Sequence, residues 1–543
     1  MTNPVEDIFA RVAARKVKTA GKPSGLPPDS DKRDDASAHA EDGSDGKKPK
    51  QSDALIRLAQ DAHLFHTADG AAYADIRVGD HRETWNVRTR GFRRWLSLRF
   101  FTEAGGAPSS EALQSALNMI EARAHFDGPL RDIFVRVGGL DGKIYIDLVD
   151  ETWRAVEIHP GGWQVIAEPP VRFRRAAGMK PLPTPIPGGS VNLLRPFLNV
   201  QHDEDFVLAV AWLLACFRHH GPFPVLLVNG EQGSAKSTFC AMVRSLIDPN
   251  SAPLRALPRE DRDLFIAANN GHVLAFDNVS GMQPWISDTL CRLSTGGGFA
   301  VRKLYSDAEE ELFDASRPTI LNGIDSVITR PDLADRALFL TLDPIADAER
   351  KPERDLMIAF DRERPLIIGA LLDGVVRGLR ELPRTHLDRL PRMADFAKWA
   401  AACESSFWSA GTFATAYRDN RADIIADVLD ADPVASAVIA YMAEQKGEVT
   451  QTASFLLGAL GEIITTQQRK AKSWPDTPRA MSNRLHRAAP FLRKAGIQIE
   501  FGGREGHTGK RLITLAVNPE WVGETSSPSS PSSPTESNQL DSG

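Results

Sequence analysis

The sequence predicts an α/β core on a parallel or mixed sheet, preceded by an α+β domain and followed by a basic module of helices and a hairpin. Three observations carry this. From Val191 to about Leu382 strands alternate with helices, the pattern of a sheet joined by helical crossovers. Before that stretch, Asp53–Leu182 mixes helical segments with a run of short strands. After it, helices give way to two β-rich segments, Ile497–Phe501 and Leu512–Val517. The chain has 543 residues, which at about 150 per domain suggests three or four domains.

Taken in order, residues 19–52 are Pro, Gly, Ser, Asp and Lys with almost nothing to bury, so 1–52 is expected to be a disordered tail. Within it Val5–Val17 reads either as a frayed end or as a transient amphipathic helix. Residues 53–182 form the α+β domain. Leu55–His63 reads as a helix, Ala72–Val78 and Glu83–Val87 as strands, and Glu111–Ala124 as a helix. A meander follows at Ile133–Val137, Lys143–Asp147, Ala155–Ile158 and Trp163–Val165, with Asp141-Gly142 and Gly161-Gly162 as turns. Pro181–Pro187 is the linker out. Residues 191–382 make the core, 383–432 a helical connector and 433–521 the basic module. Residues 522–543 are a low-complexity tail.

Composition narrows the function. With 65 Lys+Arg against 71 Asp+Glu, the net charge is −6, which taken alone argues against nucleic acid. The average hides an asymmetry. Gln467–Leu512 carries eleven basic residues against three acidic ones, a local +8, and the other 54 basic and 68 acidic residues leave −14. One basic module sits on an acidic body. Four separated cysteines show no metal-ligand spacing and suit a reducing compartment. The longest apolar run, Phe206–Phe217, is too short to span a bilayer, and the N-terminus has no apolar signal core. A cytoplasmic protein without membrane contact is expected.

The strongest motif is Pro224–Thr238, PVLLVNGEQGSAKST. An apolar strand runs into Gly230, Glu231, Gln232, Gly233, Ser234, Ala235, Lys236, Ser237 and Thr238, and then a helix. Glycines let the backbone curl so that its N–H groups face phosphate oxygens, and the helix adds its positive N-terminus. Lys236 would reach the outer phosphates of ATP and Ser237 would hold Mg²⁺. Ala235 stands where the strict motif has glycine, and its methyl group is expected to fit. A second strand, HVLAFDN, brings Asp277 to its tip as the metal carboxylate, with Asn278 where many such ATPases place a second carboxylate. Glu231, Asp288 or Asp277 itself would then act as base. A third strand, PTILN, ends in Asn322, read either as a γ-phosphate or water contact or as a turn residue. Beyond it, Arg336 and Arg330 are candidates to reach a neighbouring subunit's phosphate; the alternative is an ion pair with Asp332 or Asp335.

This series of phosphate loop, FDN strand, TGG–RKLY segment, Asn-ended strand and DLADR resembles superfamily 3 helicases, AAA+-type ATPases that include phage and plasmid primase-helicases. The resemblance covers roughly Val191–Pro344. It implies an AAA+-like P-loop NTPase fold, ATP and Mg²⁺ as cofactors, and a homo-oligomer, a hexamer, with the arginine acting in trans. It also implies a pore hairpin, here Leu293–Asp307, in which Arg302 and Lys303 grip a single DNA strand with Tyr305 nearby. The chain departs from the family at Asn278, and the region before Val191 shows no primase site. In that region Arg88–Phe101, RTRGFRRWLSLRFF, and Val171–Arg175 read equally as a single-strand grip or as an amphipathic helix with solvated arginines.

The C-terminal module, a helix at Thr477–Ala495 followed by strand, Gly-rich basic turn and strand, resembles a winged-helix domain. Ser482, Asn483, Arg484 and Arg487, with Arg493 and Lys494 further along, would face duplex DNA. Arg504, Lys510 and Arg511 would sit on the wing. The expected function is an ATP-dependent DNA helicase or translocase acting in phage- or plasmid-like mobile-element replication with replication partners. The alternative is a DNA-bound ATP switch, an initiator or regulator that assembles without unwinding. A protein-remodelling module is a third reading, against which Arg302 and Lys303 argue.

Overall fold

The computed structural model describes residues 50–302, 310–314, 316–323, 330–445, 447–470, 474–506 and 509–517. The two tails expected from composition lie almost wholly outside these residues.

Helix α1 (Gln51–Leu58) leads into an antiparallel sheet of β1 (His63–His66), β2 (Ala72–Val78) and β3 (His81–Asn86) in the order β1-β2-β3. The sequence reading extends α1 to His63. Instead the helix stops at Leu58, because His63–His66 pairs with β2 in the register His63↔Asp75, a partner that lies beyond a local window. Helices α2 (Arg90–Ala104) and α3 (Ser110–Phe126) cover this sheet. Phe92, Leu96 and Phe100 recur every four residues, so α2 turns them all into one core with Leu55, Ile76 and Leu117.

The meander is β4 (Val137–Leu140), β5 (Lys143–Asp147), β6 (Ala155–His159) and β7 (Gly162–Ile166), antiparallel throughout. Its first strand starts where the sequence reading ends it. Arg136 stands just before it in the left-handed region, φ 65°, and sends its side chain inward. Val137, Ile144, Val156 and Ile158 share one apolar cluster with the core that follows. Arg136 ties the two together: its Nε donates to Asp248 Oδ1 at 3.1 Å, with both side chains fully buried. Its other nitrogens donate to the carbonyls of Asp147 and Lys180 at 3.0 and 2.9 Å.

The core opens with α4 (Asp203–Cys216), buried on every side from Phe206 onward, which is why that run shows no amphipathic period. Then come β8 (Val225–Gly230), α5 (Lys236–Ser245), α6 (Asp261–Asn270), β9 (Leu274–Phe276), α7 (Pro284–Thr295), a hairpin of β10 (Gly298–Arg302) and β11 (Glu310–Asp314), β12 (Thr319–Asn322), the short α8 (Pro331–Ala334) and β13 (Ala337–Leu342). The central sheet is parallel in the order β13-β8-β12-β9. Leu342 pairs with Gly230, Asn322 with Val228, and Leu321 with Phe276, so the carboxyl ends of all four strands meet at one edge. Ligands of open α/β sheets bind at such an edge.

Helices α9 (Glu353–Glu381), α10 (Ala394–Glu404) and α11 (Thr412–Ala431) pack around α4 and carry the chain to α12 (Pro433–Glu444). The last part is β14 (Val449–Thr452), α13 (Ala453–Ile463), α14 (Thr466–Arg469), α15 (Pro478–Lys494), β15 (Ile497–Arg504) and β16 (Arg511–Val517). Its antiparallel sheet has the order β14-β16-β15; β14 is a strand the sequence reading lacks. Thr477 caps α15 through the Ala480 amide at 3.2 Å, and Met481, Leu485, Ala488 and Leu492 are buried in one apolar cluster with Ile499 and Leu515 of the sheet. No described helix is long and apolar enough to cross a membrane.

Candidate functional site

The loop between β8 and α5 sits at the carboxyl edge of the sheet. Gly230 has φ 146°, and a Cβ there would lie 2.3 Å from the Leu342 carbonyl oxygen, so no other residue fits beside β13. Gly233 has φ 89°. Ala235 is also left-handed, φ 59°, ψ 30°. The expectation that its methyl group is harmless needs correction. The motif's glycine answers a backbone requirement, and an alanine there is strained by about 1–2 kcal/mol. Ser234 is buried and anchors the turn: its Oγ donates to the Glu231 carbonyl at 2.9 Å, and its own carbonyl accepts from Asn199 Nδ2 at 3.1 Å. Asn199 also donates to the Asp343 carbonyl at 2.6 Å, strapping the loop to the segment after β13. Glu231 and Gln232 are exposed at the crest, and Thr238 lies in the first turn of α5.

Four predicted residues come together here. Lys236 Nζ donates to the carbonyls of Gly230 and Glu231, both at 2.7 Å. Ser237 Oγ donates to Asp277 Oδ1 at 3.0 Å, joining the helix to the end of β9. Since β12 lies between β8 and β9, Asn322 falls between them: its Nδ2 reaches Ser237 Oγ at 3.5 Å and its Oδ1 accepts from the Asn278 amide at 2.8 Å. Asn322 is buried, whereas Asn278 is exposed at φ 53°. That conformation suits asparagine and would strain a glutamate, a local reason for the missing second carboxylate. A hydroxyl and one carboxylate in contact are hard oxygen donors of the kind Mg²⁺ takes alongside phosphate and water. Among the described residues no cluster of three His, Cys, Asp or Glu could hold a metal by itself. Burial pushes the neighbouring Cys240 thiol up to about 12, so it stays protonated.

Arg336 is not at this edge. It directly precedes β13, and its carbonyl accepts from the Val225 amide at the opposite end of the sheet. Six strand residues separate it from the loop, roughly 20 Å of extended chain. Its Nη1 pairs with Asp332 at 2.7 Å, the alternative the sequence left open. Arg330 pairs with Asp288 at 2.9 Å, which also engages one of the candidate bases. Arg302 closes the β10–β11 hairpin opposite Glu310; Lys303 and Tyr305 lie outside the described residues.

In the C-terminal part a groove of about 880 Å³ runs between α15 and the β15–β16 hairpin. The helix supplies Arg479, Ser482, Asn483 and His486, and the hairpin supplies Arg504, Lys510 and Arg511. His486 stacks on Phe501 at 3.5 Å between ring centroids, making the groove floor. The sequence assignment is corrected at two residues. Arg484 turns away toward Asp432, at 3.9 Å, and Lys494 is bound by Asp335, which Arg421 also holds. Arg487 and Arg493 are exposed outside the groove lining. Composition could not separate these faces; helical phase could have, because residues 479, 482, 483 and 486 share one stripe.

Several arginines of the stretches near the N-terminus form ion pairs, while Arg90 and Arg94 are exposed. Arg88 pairs with Glu121, Arg99 with Asp61 at 2.9 Å, Arg172 with Asp75, and Arg175 with Asp147 at 2.7 Å.

Residues 191–427 match the family described as actinomycete integrative conjugative element replication protein, and residues 434–532 match the AICE RepA C-terminal domain. No curated protein matches the chain. Solved structures similar to it include the A form apo structure of the NrS-1 C terminal region, with a TM-score of 0.38, 11% identity, and coverage of 86% of this chain and 99% of that one. Another is the apo structure of the NrS-1 C terminal region (305–718), with a TM-score of 0.35, 10% identity, and coverage of 87% and 100%. With the two family matches lying one after the other, the chain carries both the replication-protein domain and the C-terminal domain of the AICE RepA replication proteins of integrative mobile elements.

Proposed function

We propose that this chain is an ATP-dependent DNA helicase or translocase of superfamily 3 type that acts in replication of its mobile element. The observation that carries the reading is the Ser237–Asp277 contact at 3.0 Å beside Lys236 and Asn322, at the carboxyl edge of a parallel sheet. In this reading the core is a P-loop NTPase. The loop amides and Lys236 bind the triphosphate, Ser237 and Asp277 hold Mg²⁺, and Asn322 orients water at the terminal phosphate. Mg²⁺ would neutralise charge developing on the transferred phosphoryl group. Arg336, remote from its own loop, serves a neighbouring subunit of a ring. The C-terminal part is a winged-helix domain that holds duplex DNA in its basic groove.

Asn278 favours a second reading, a DNA-bound ATP switch that assembles without unwinding. Strand displacement on a forked duplex, measured beside single-strand-stimulated ATP hydrolysis with Lys236→Ala as control, separates the two. The helicase reading expects ATP-dependent displacement that Lys236→Ala abolishes. ATP-driven assembly with neither displacement nor stimulation would establish the switch instead.

The groove makes its own prediction. Arg479→Ala, Arg504→Ala and Arg511→Ala combined should weaken duplex binding and reduce the slope of log K against log salt by about 0.9 for each phosphate no longer neutralised. Arg484→Ala should leave the slope nearly unchanged. Fluorescence anisotropy from 50 to 200 mM salt, roughly the range where such contacts dominate, decides the matter: an unchanged slope in the triple variant removes the groove as the DNA face.

A further inference from the structure

Strand β13 has an arginine near each end. Arg336 stands before it, away from the loop; Arg350 stands eight residues past Leu342, with its guanidinium near the loop. The Arg350 guanidinium lies so close over Gly233 that a Cβ at that position would be 3.1 Å from Nη2. A side chain at Gly233 would crowd the cation where it comes down onto the crest.

The approach is held in place by the backbone around it. Leu342 pairs with Gly230 in the sheet, the Ile345 amide donates to the Gly233 carbonyl at 3.3 Å, and Asn199 bridges the Ser234 and Asp343 carbonyls. These links fix the segment from β13 to Ile345 against the loop, and Arg350 follows five residues on. Its ion-pair partner is Asp347 at 3.1 Å, with side chains 56% and 91% exposed. A pair that open to water is worth little, so a phosphate offering two oxygens to the guanidinium fork displaces it readily.

From this geometry we infer that Arg350 contacts the terminal phosphate of a bound nucleoside triphosphate, and does so in cis. The inference rests on the phosphate-loop reading above. Loop amides enclose the inner phosphates and leave the outermost one toward the mouth, where a cation arriving over the crest meets it. Arg350 thereby makes the site prefer a triphosphate over a diphosphate, and it needs no neighbouring subunit.

The test uses the full chain and fluorescent N-methylanthraniloyl ATP and ADP in equilibrium titrations, with wild type, Arg350→Ala, Arg350→Lys and Lys236→Ala compared at equal thermal midpoints. Arg350→Ala should weaken ATP roughly 10- to 100-fold, the range of a charge-assisted contact, and ADP less than about threefold on the same scale. Arg350→Lys, which keeps the charge but loses the fork, should recover part of the difference. Unchanged ATP affinity, or equal loss for ATP and ADP, overturns the assignment while a loss in Lys236→Ala keeps the loop reading intact. If Lys236→Ala binds both nucleotides as wild type does, the loop reading fails and the Arg350 inference falls with it.

Discussion

An Arg136→Ala variant is expected to lose about 3–5 kcal/mol of folding stability, the cost of leaving one member of a buried ion pair uncompensated. Both side chains are fully buried. Asp248 Oδ2 also accepts the amides of His272 and Val273 at 3.0 and 3.1 Å, immediately before β9. Removing the cation therefore leaves a buried carboxylate without its ion-pair partner beneath the strand that carries Asp277. Burial by itself pushes the Asp248 carboxyl up; Arg136 and Arg244 outweigh it and hold the group below the ordinary carboxylate range. A carboxylate depressed in the folded state contributes stability above its unfolded pKa, and that contribution disappears as pH falls through the folded value. The deficit of the variant should accordingly be largest at neutral pH and shrink as pH falls and the buried carboxyl, no longer paired with Arg136, takes up its proton. Urea unfolding at pH 7 checks the first part: the midpoint should drop with little change in slope. Asp248→Asn combined with Arg136→Met should recover part of the loss, because the amide still accepts a backbone N–H and no charge stays buried. A loss under about 1 kcal/mol, the value of an exposed pair, would mean that the site is solvated.

That pair also marks where the sequence stops being legible. Arg136 and Asp248 are 112 positions apart, and neither sits in a motif. Only the packing of the meander onto the core brings them together. The strand–loop–helix at 225–245, the short strands ending near Asp277 and Asn322, and the hairpin at 497–517 were readable because apolar runs, glycines and polar strand ends are local signals. Their order in the sheet places Asn322 between Ser237 and Asn278, a geometry that a lone asparagine could not announce. Other features depend on backbone conformation or helical phase. Ala235 and Asn278 are both left-handed, and composition says nothing of φ. On α15 the charge count is the same whichever way the helix is turned, yet its phase sends Arg479 to the groove and Arg484 to Asp432. Asn199 and Arg350 gave no signal at all, since each acts through a single long-range approach to the loop.

On the hydrolysis reading proposed above, Asp277→Asn should reduce ATP turnover by roughly 10³-fold, the order of losing several kcal/mol of transition-state charge stabilisation. The asparagine oxygen can still accept from Ser237 Oγ, now 3.0 Å from the carboxylate, so the fold and the loop should survive. What disappears is the negative charge that a hard divalent cation needs. The variant should therefore differ from wild type only while Mg²⁺ is present: with the metal chelated, both should fall to the same residual rate. Affinity for ATP measured without Mg²⁺ should be nearly unchanged, since Lys236 and the loop amides do not involve Asp277. Malachite-green phosphate release across a Mg²⁺ titration reads the turnover and its metal dependence, and a fluorescent-ATP titration in chelator reads the affinity. Equal turnover in wild type and variant at saturating Mg²⁺ would show that Asp277 holds Ser237 rather than a metal. The hydrolytic reading would then lose its central residue, and the Asp277–Ser237 bond would stand as a structural clasp between β9 and α5.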